Sequence, residues 1–324
     1  MSEDPFVFPE IDYATHPYYA PLVATVGEAE RAAARDRFAA VHAEVTAQQR
    51  GFDDYRQAHP VETAACTAGQ QTLDADGILP MRLDPRDLDA IRDVAAPFGR
   101  ELEARRARLG PEQRAVAGAS MRIAGEGDPR HVMFEGLLRR YGVLELCRRH
   151  KGMPYRLRFA VLQHNTHEDR GLGLVCSFEA GVRARSYYAH IDAAVDSMKV
   201  IVYLTPEVTA ARGALRYFIG SHCASDPADL AIRKSNDRCG WENVHDPADR
   251  RAFAALPPGL QRKANFGNDL LDPVAAAAVL RSERPMESSD GDLLLFDPDG
   301  AHRGAMFEEP GERRILQLSL APAV

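Results

Sequence analysis

Six short runs of β-forming residues crowd the chain from Tyr155 onward: YRLRFAVLQ, SYYAHI, MKVIVYL, ALRYFI, DLLLF and RRILQLSL. Each is rich in β-branched, aromatic and aliphatic side chains, and turn residues separate them. Closely spaced short strands of this kind have one economical solution, a sandwich or a barrel-like jelly roll. Between Cys223 and Asp290 the pattern breaks into mixed helical and loop character. A break of that length inside a β-rich region reads as an insertion, at about 223–290, lying lid-like over one mouth of the barrel.

Ahead of Tyr155 the texture is helical. The stretch GEAERAAARDRFAAVHAEVTAQQR, Gly27 to Arg50, is rich in Ala, Glu and Arg and free of Pro, which predicts a helix. DADGILPMRLD, residues 74–84, reads as a turn and a short strand. Asp84 and Pro85 then form an N-cap followed by a first-turn proline. Leu88, Ile91, Ala95, Phe98, Leu102 and Leu109 follow at near-helical period, with Pro97 expected to kink or split the helix. SMRIA is a candidate strand, and PRHVMFEGLLRRYGVLELCRRH predicts one helix over 129–150. Residues 1–25, with Pro5, Pro9, Pro17 and Pro21, read as an extended arm. The expectation is an α+β chain forming a single domain over 1–324, in which a mainly helical segment, residues 1–154, packs on a jelly-roll core of 155–324.

Composition narrows the function. A net charge of −7 argues against a nucleic-acid partner or an anionic membrane surface. No apolar run approaches the roughly 20 residues of a membrane span. The opening MSEDPFVFPEID lacks a secretory pattern, so a cytoplasmic protein with a small-molecule substrate is expected. No motif specifies an oligomeric state. Cys66, Cys147, Cys176, Cys223 and Cys239 contain no C-x-x-C pair and read as free thiols.

The chemistry concentrates in SYYAHIDAAVDSMKVIVYL, residues 186–204. In extended chain, residues two apart share a face, so His190 and Asp192 project together. A third ligand would complete the 2-His-1-carboxylate face that leaves coordination positions open on non-haem Fe(II). His302, in GDLLLFDPDGAHRGA, is the candidate. Arg313 stands eleven positions further on, opening RRILQLSL and sharing one strand face with Ile315 and Gln317. Tyr188 has the parity of His190, and Trp241 sits in the insertion, so both are candidate substrate contacts with Asn165.

HID, GALRYFIGSH and GDLLLFDPDGAHRGAMFEEPGERRILQLSL together resemble the phytanoyl-CoA dioxygenase family of Fe(II)/2-oxoglutarate oxygenases. The likeness covers roughly residues 74–110 and 155–324. It implies a double-stranded β-helix core of jelly-roll, cupin-like type. It also implies iron on His190, Asp192 and His302, and Arg313 on the distal carboxylate of 2-oxoglutarate. A planar guanidinium grips a carboxylate through two parallel charge-assisted hydrogen bonds, which agrees with that role. Arg314 is the rival, and strand parity favours Arg313. Gln163, on the strand before the pair, stands where such enzymes place a polar contact to the cosubstrate.

The insertion and helical front carry Arg, Asn, Asp and His rather than a long apolar groove, so a small polar metabolite, an amino acid or a specialised-metabolism intermediate, is the expected substrate, and the implied reaction uses O2 to hydroxylate one of its unactivated C–H bonds. It releases succinate and CO2 and needs no catalytic side chain beyond the metal centre. Halogenating relatives lack the carboxylate, so Asp192 favours hydroxylation. The alternative is a jelly-roll binding or isomerase-type protein that holds a metal on the same ligands without 2-oxoglutarate.

Overall fold

The computed structural model describes residues 20–61, 67–109, 120–167, 189–223, 226–239, 247–263, 281–305 and 307–324. Helices α1 (Ala20–Thr25), α2 (Glu28–Ala58), α3 (Ala68–Asp76) and α4 (Pro85–Arg108) precede most of the strands. Strands β1 (Ile78–Arg82) and β2 (Ser120–Gly125) lie among them, followed by helices α5 (Pro129–Arg140) and α6 (Val143–Lys151). The β-rich half contains β3 (Tyr155–Thr166), β4 (Met198–Tyr203), β5 (Glu207–Val208), β6 (Leu215–Phe218), β7 (Glu283–Met286), β8 (Ser288–Ser289), β9 (Asp292–Phe296), β10 (His302–Gly304) and β11 (Glu312–Pro322). Helices α7 (Pro227–Arg238), α8 (Pro247–Ala254) and α9 (Pro258–Gln261) fall between β6 and β7.

Several local expectations change. The helix from the Gly27 region continues to Ala58, because nothing in RGFDDYRQA breaks it. Pro97 does not split α4, which runs unbroken from Pro85 to Arg108 with Asp84 capping the Arg86 amide. The helix expected over 129–150 is two helices: Gly142 adopts a left-handed φ of 69°, which ends α5 and starts α6. Ala20–Thr25 is helical rather than extended arm. The insertion ends before β7, whose residues pair with β6. Its helix α7 packs on α2.

Among the described residues, two larger antiparallel sheets and one two-stranded sheet organise the rest. One has six strands in the order β1-β9-β4-β11-β3-β2, the other three in the order β10-β6-β7, and β5 pairs with β8. Period-two alternation gives the large sheet two different faces. Leu316, Leu318, Leu320, Val200, Val202, Leu293 and Leu295 look outward, onto Ile91, Phe134, Leu138 and Leu144 of the helices. Ile315, Ile201, Tyr203, Leu294 and Phe296 look inward, onto Leu215 and Tyr217 of the small sheet. A third apolar cluster joins Ala189, Ile191 and Ala301 to Phe38 of α2 and Phe253 of α8.

β11 is the spine, hydrogen-bonded to β3 on one side and β4 on the other. Leu318 lies at its middle with no exposed surface. Leu318→Ala is expected to cost about 2 to 5 kcal/mol through lost burial and a residual cavity, read as a lower urea midpoint at unchanged m-value.

Candidate metal centre

Alternation places the candidate ligands. Ala189 and Ile191 point into the α2–α8 cluster, so His190 and Asp192 point the other way. The extended segment they occupy is short: His190 forms an isolated antiparallel bridge with His302, and Asp192 already lies in the following loop. His190 and His302 exchange both backbone hydrogen bonds, at 3.0 and 2.9 Å, and the Asp192 amide donates to the Pro298 carbonyl at 2.9 Å. Segments far apart in sequence are thereby held side by side.

The side chains converge. Asp192 Oδ1 lies 3.9 Å from His190 Nε2 and 3.7 Å from His302 Nε2, and one ligand atom from each residue lies within 4.8 Å of the others. All three residues are buried. His302 Nδ1 lies 3.0 Å from the Gly300 carbonyl. A carbonyl only accepts, so that nitrogen carries the proton and Nε2 turns its lone pair toward the centre. Asp192 is oriented likewise, since its other oxygen, Oδ2, pairs with Lys199. The Phe296 ring packs edge-on against His302, 5.2 Å between centroids. Two imidazoles and one carboxylate, with His302 and Asp192 each aimed by a second contact, form a donor set suited to a divalent transition metal.

Beneath the ligands lies a lattice of buried charge that no sequence motif signalled. Fully buried Lys234, from α7, donates to the Asp192 carbonyl at 2.8 Å, the Ala194 carbonyl at 2.6 Å and Asp299 Oδ1 at 2.6 Å. Lys151, at the end of α6, lies 2.7 Å from Asp297 Oδ2 and 2.9 Å from Asp299 Oδ2. His150 joins Asp297, at 3.1 Å, to Asp74, at 2.7 Å. These contacts fix the 297–301 turn that delivers His302. Gly300 is required there, since a Cβ would stand 1.9 Å from the Tyr217 hydroxyl. Burial alone would push the Lys151 ammonium down, but Asp297, Asp299 and Asp196 overturn this and hold it well above the ordinary lysine value. Burial likewise opposes the charge on Asp297, yet Lys151 and His150 hold its carboxyl well below the usual range. His150 is disfavoured as a cation by burial, and Asp297 and Asp74 reverse the sign and raise it.

Arg313 is buried on the inward face of β11, where Nη1 donates to the Gly213 carbonyl and Nη2 to Asn165 Oδ1 at 3.1 Å. Its Nε is buried with no hydrogen-bond partner among the described residues. Arg314 faces the other way and pairs with Glu103 and Glu312. Gln163 faces inward from β3 and donates to Gln317 Oε1 at 3.1 Å. His164 pairs with Glu312 on the opposite side, and His222 lies 3.2 Å from the Asp74 carbonyl. Tyr188 and Trp241 lie outside the described residues. Lys199, Lys234 and Lys151 escaped sequence reading because a lysine in a strand or helix looks like a solvated charge until its burial is known.

No family model and no curated protein matches the chain. Among solved structures, it is similar to HygX from Streptomyces hygroscopicus with nickel and 2-oxoglutarate bound, at 14% identity and a TM-score of 0.44, covering 80% of this chain and 88% of that one. It is also similar to EctD from S. alaskensis with 2-oxoglutarate and 5-hydroxyectoine, at 15% identity and a TM-score of 0.48, covering 81% and 78%. A third is the non-heme alpha-ketoglutarate-dependent epimerase SnoN from nogalamycin biosynthesis, at 15% identity and a TM-score of 0.41, covering 81% and 85%. At such identity and overlap the chemistry of this chain has to be argued from its own side chains.

The charge lattice can be probed by mutation and by pH. Lys234→Met strands two carbonyls and part of a carboxylate, and should cost about 3 to 5 kcal/mol in urea unfolding. It should also weaken Fe(II) binding by roughly 10- to 100-fold in a competitive chelator titration. The pH dependence has two limbs. Asp297, lowered from 3.8, contributes stability above that value that is lost as pH falls through its folded pKa. His150, raised from 6.5, contributes stability below that value that is lost as pH rises through its folded pKa. The urea midpoint should therefore be higher at about pH 5.5 than at about pH 8.5, and His150→Asn should flatten that difference.

Proposed function

We propose that the chain is an Fe(II)- and 2-oxoglutarate-dependent oxygenase, with His190 Nε2, Asp192 Oδ1 and His302 Nε2 holding the metal and Arg313 holding the cosubstrate's distal carboxylate. The reading is carried by one observation: a convergent His/Asp/His set packs on Phe296 of the inward apolar cluster, and on the inward face of β11 beside that cluster a buried guanidinium keeps an Nε with no hydrogen-bond partner among the described residues. The donor set fits ferrous iron, since three protein ligands on one face leave room for a chelating cosubstrate and O2. The arginine fits a diacid, because a buried cation on a sheet face calls for an anion. In this reading the large and small sheets are the two halves of a double-stranded β-helix, and residues 1–324 act as one oxygenase domain.

When bound, iron with 2-oxoglutarate and O2 supplies the oxidising power that couples release of succinate and CO2 to attack on a substrate C–H bond. The protein's share is geometry and dryness. Gly300 and Lys199 aim two of the ligands from behind. Asn165 orients the Arg313 guanidinium, and the Gly213 carbonyl ties it to the small-sheet side. Gln163 and Gln317 present an amide pair on the same sheet face. Ile315, Tyr203 and Leu294 exclude water around them. Asp192 supplies the third ligand that halogenating enzymes leave open, which supports hydroxylation of a small polar metabolite. A metal-binding jelly roll without a cosubstrate would have no use for burying Arg313.

Anaerobic protein loaded with Fe(II) should develop a weak visible charge-transfer band on titration with 2-oxoglutarate. In Arg313→Gln the half-saturating concentration should rise about tenfold or more, from loss of a charge-assisted bidentate contact. Absence of the band in the wild-type chain, together with absence of succinate formation, overturns the proposal.

A further inference from the structure

Along β11 the inward-facing residues run Arg313, Ile315, Gln317, Ser319. Arg313 stands at one end. At the other, beside Asp192, the structure opens a cleft of about 540 Å³ lined by Arg158, Lys199, Arg238, Gln317 and Ser319. The charge in this cleft is lopsided. Three of its described lining residues are cationic and one, Asp192, is anionic. Asp192 is already committed, with Oδ1 toward the imidazoles and Oδ2 on Lys199.

The placement of Arg158 is the telling feature. Between Ser319 and Leu320 the pairing of β11 with β3 slips: Ser319 faces Phe159, but Leu320 faces Leu157, leaving Arg158 as an extra residue. Under unbroken alternation Arg158 would share the outward face of Ala160 and Leu162, against the helical core. The bulge turns it into the cleft instead, the usual way a sheet re-aims one side chain beside a site. Its guanidinium lies 5.6 Å from the Phe159 ring centroid. From the helical side of the cleft, Arg238 at the end of α7 is held over the loop after Asp192, with Nε and Nη2 donating to the Ala193 carbonyl at 3.3 and 3.1 Å. Lys199 has three donor hydrogens, and Asp192 takes one.

We infer that this cleft binds an anionic group, a carboxylate or a phosphate monoester, and so selects an acidic substrate on the side of the metal centre away from Arg313. Calling the ligand a substrate rests on the oxygenase reading; the anion site itself does not. The cations act together: Arg158 and Arg238 grip the anion from two walls while Lys199 bridges it to Asp192. A neutral isostere leaves the excess positive charge of the cleft unanswered, so discrimination should be steep. Ser319 and Gln317 supply the uncharged hydrogen bonds that complete the pocket.

The test is titration calorimetry on the full chain, loaded with Fe(II) and saturated with 2-oxoglutarate under anaerobic conditions so that Arg313 is engaged. The probes are benzoate, phenyl phosphate and benzamide. One or both anions should bind about tenfold or more tightly than the amide, weakening with added salt. Whichever anion wins distinguishes a carboxylate from a phosphate substrate. Arg158→Gln should abolish the preference, and Arg158→Lys should retain part of it. Equal binding of benzamide, no binding of either anion to protein that melts cooperatively, or full anion affinity in Arg158→Gln overturns the inference. Loss of anion binding in Arg313→Gln but not in Arg158→Gln also overturns it. The two readings fail separately: anion preference without a 2-oxoglutarate band removes the oxygenase, and a band without anion preference removes the anion site.

Discussion

The site depends on two backbone hydrogen bonds, those exchanged by His190 and His302. This pairing is an isolated bridge rather than a full ladder, and it falls on the two residues whose imidazoles must meet. In an antiparallel pair, residues directly opposite present their side chains to the same face. Once His190 and His302 are opposite, their rings are neighbours, and they stand 4.5 Å apart between centroids. Asp192, two positions on, then needs only the Pro298 carbonyl to hold its backbone and Lys199 to turn its carboxylate. Slipping this pairing by one residue would send a histidine into the α2–α8 cluster and replace it with Ala189 or Ile191.

Keeping so short a pairing in register is costly, and the buried charge lattice is where the cost is met. Lys234, Lys151, Asp297 and Asp299 are all largely removed from water. Such pairs seldom stabilise a fold more than well-packed apolar residues of the same size would. Their value lies in direction. An ammonium with three acceptors at 2.6 to 2.8 Å fixes the loop after Asp192 relative to the turn before His302. Apolar side chains would fill the same volume without specifying that relation. The lattice also links elements that the sheets leave apart, since Lys234 comes from α7, Lys151 from α6 and Asp74 from α3.

What the sequence reveals and conceals follows from the range of each signal. Strands β3, β4, β9 and β11 are legible because β-propensity and alternation are local. Arg313 is separable from Arg314 for the same reason: parity puts one in the cleft and the other beside Glu103 and Glu312. The convergence of His190, Asp192 and His302 is legible because a metal face needs only a few residue types in order. Local expectations fail at single residues whose effect depends on surroundings. Gly142 divides a helix that its neighbours would continue, while Pro97, expected to kink or split its helix, does not split it. The lysines of the charge lattice are illegible because nothing local marks a lysine for burial. The bulge at Arg158 is hidden too, since register is a property of two strands and only one can be read at a time.

That bulge shows how one strand serves two opposite demands. Regular β11 pairing carries Arg313 at one end of the inward face, held by Asn165 directly across the ladder on β3. The same two strands, six positions along, pair Ser319 with Phe159 and then slip. Before the slip, β3 contributes an amide and an aromatic to the inward face; after it, Leu157 and Tyr155 belong to the helical core. Without the extra residue, Arg158 would have to enter that core as an unpaired charge, which burial forbids. With it, the strand returns to its apolar register and the charge is expelled into the cleft beside Asp192. A single irregularity thus satisfies the core and turns one cation toward Asp192, while regular pairing keeps another, Arg313, inward at the far end of the same strand.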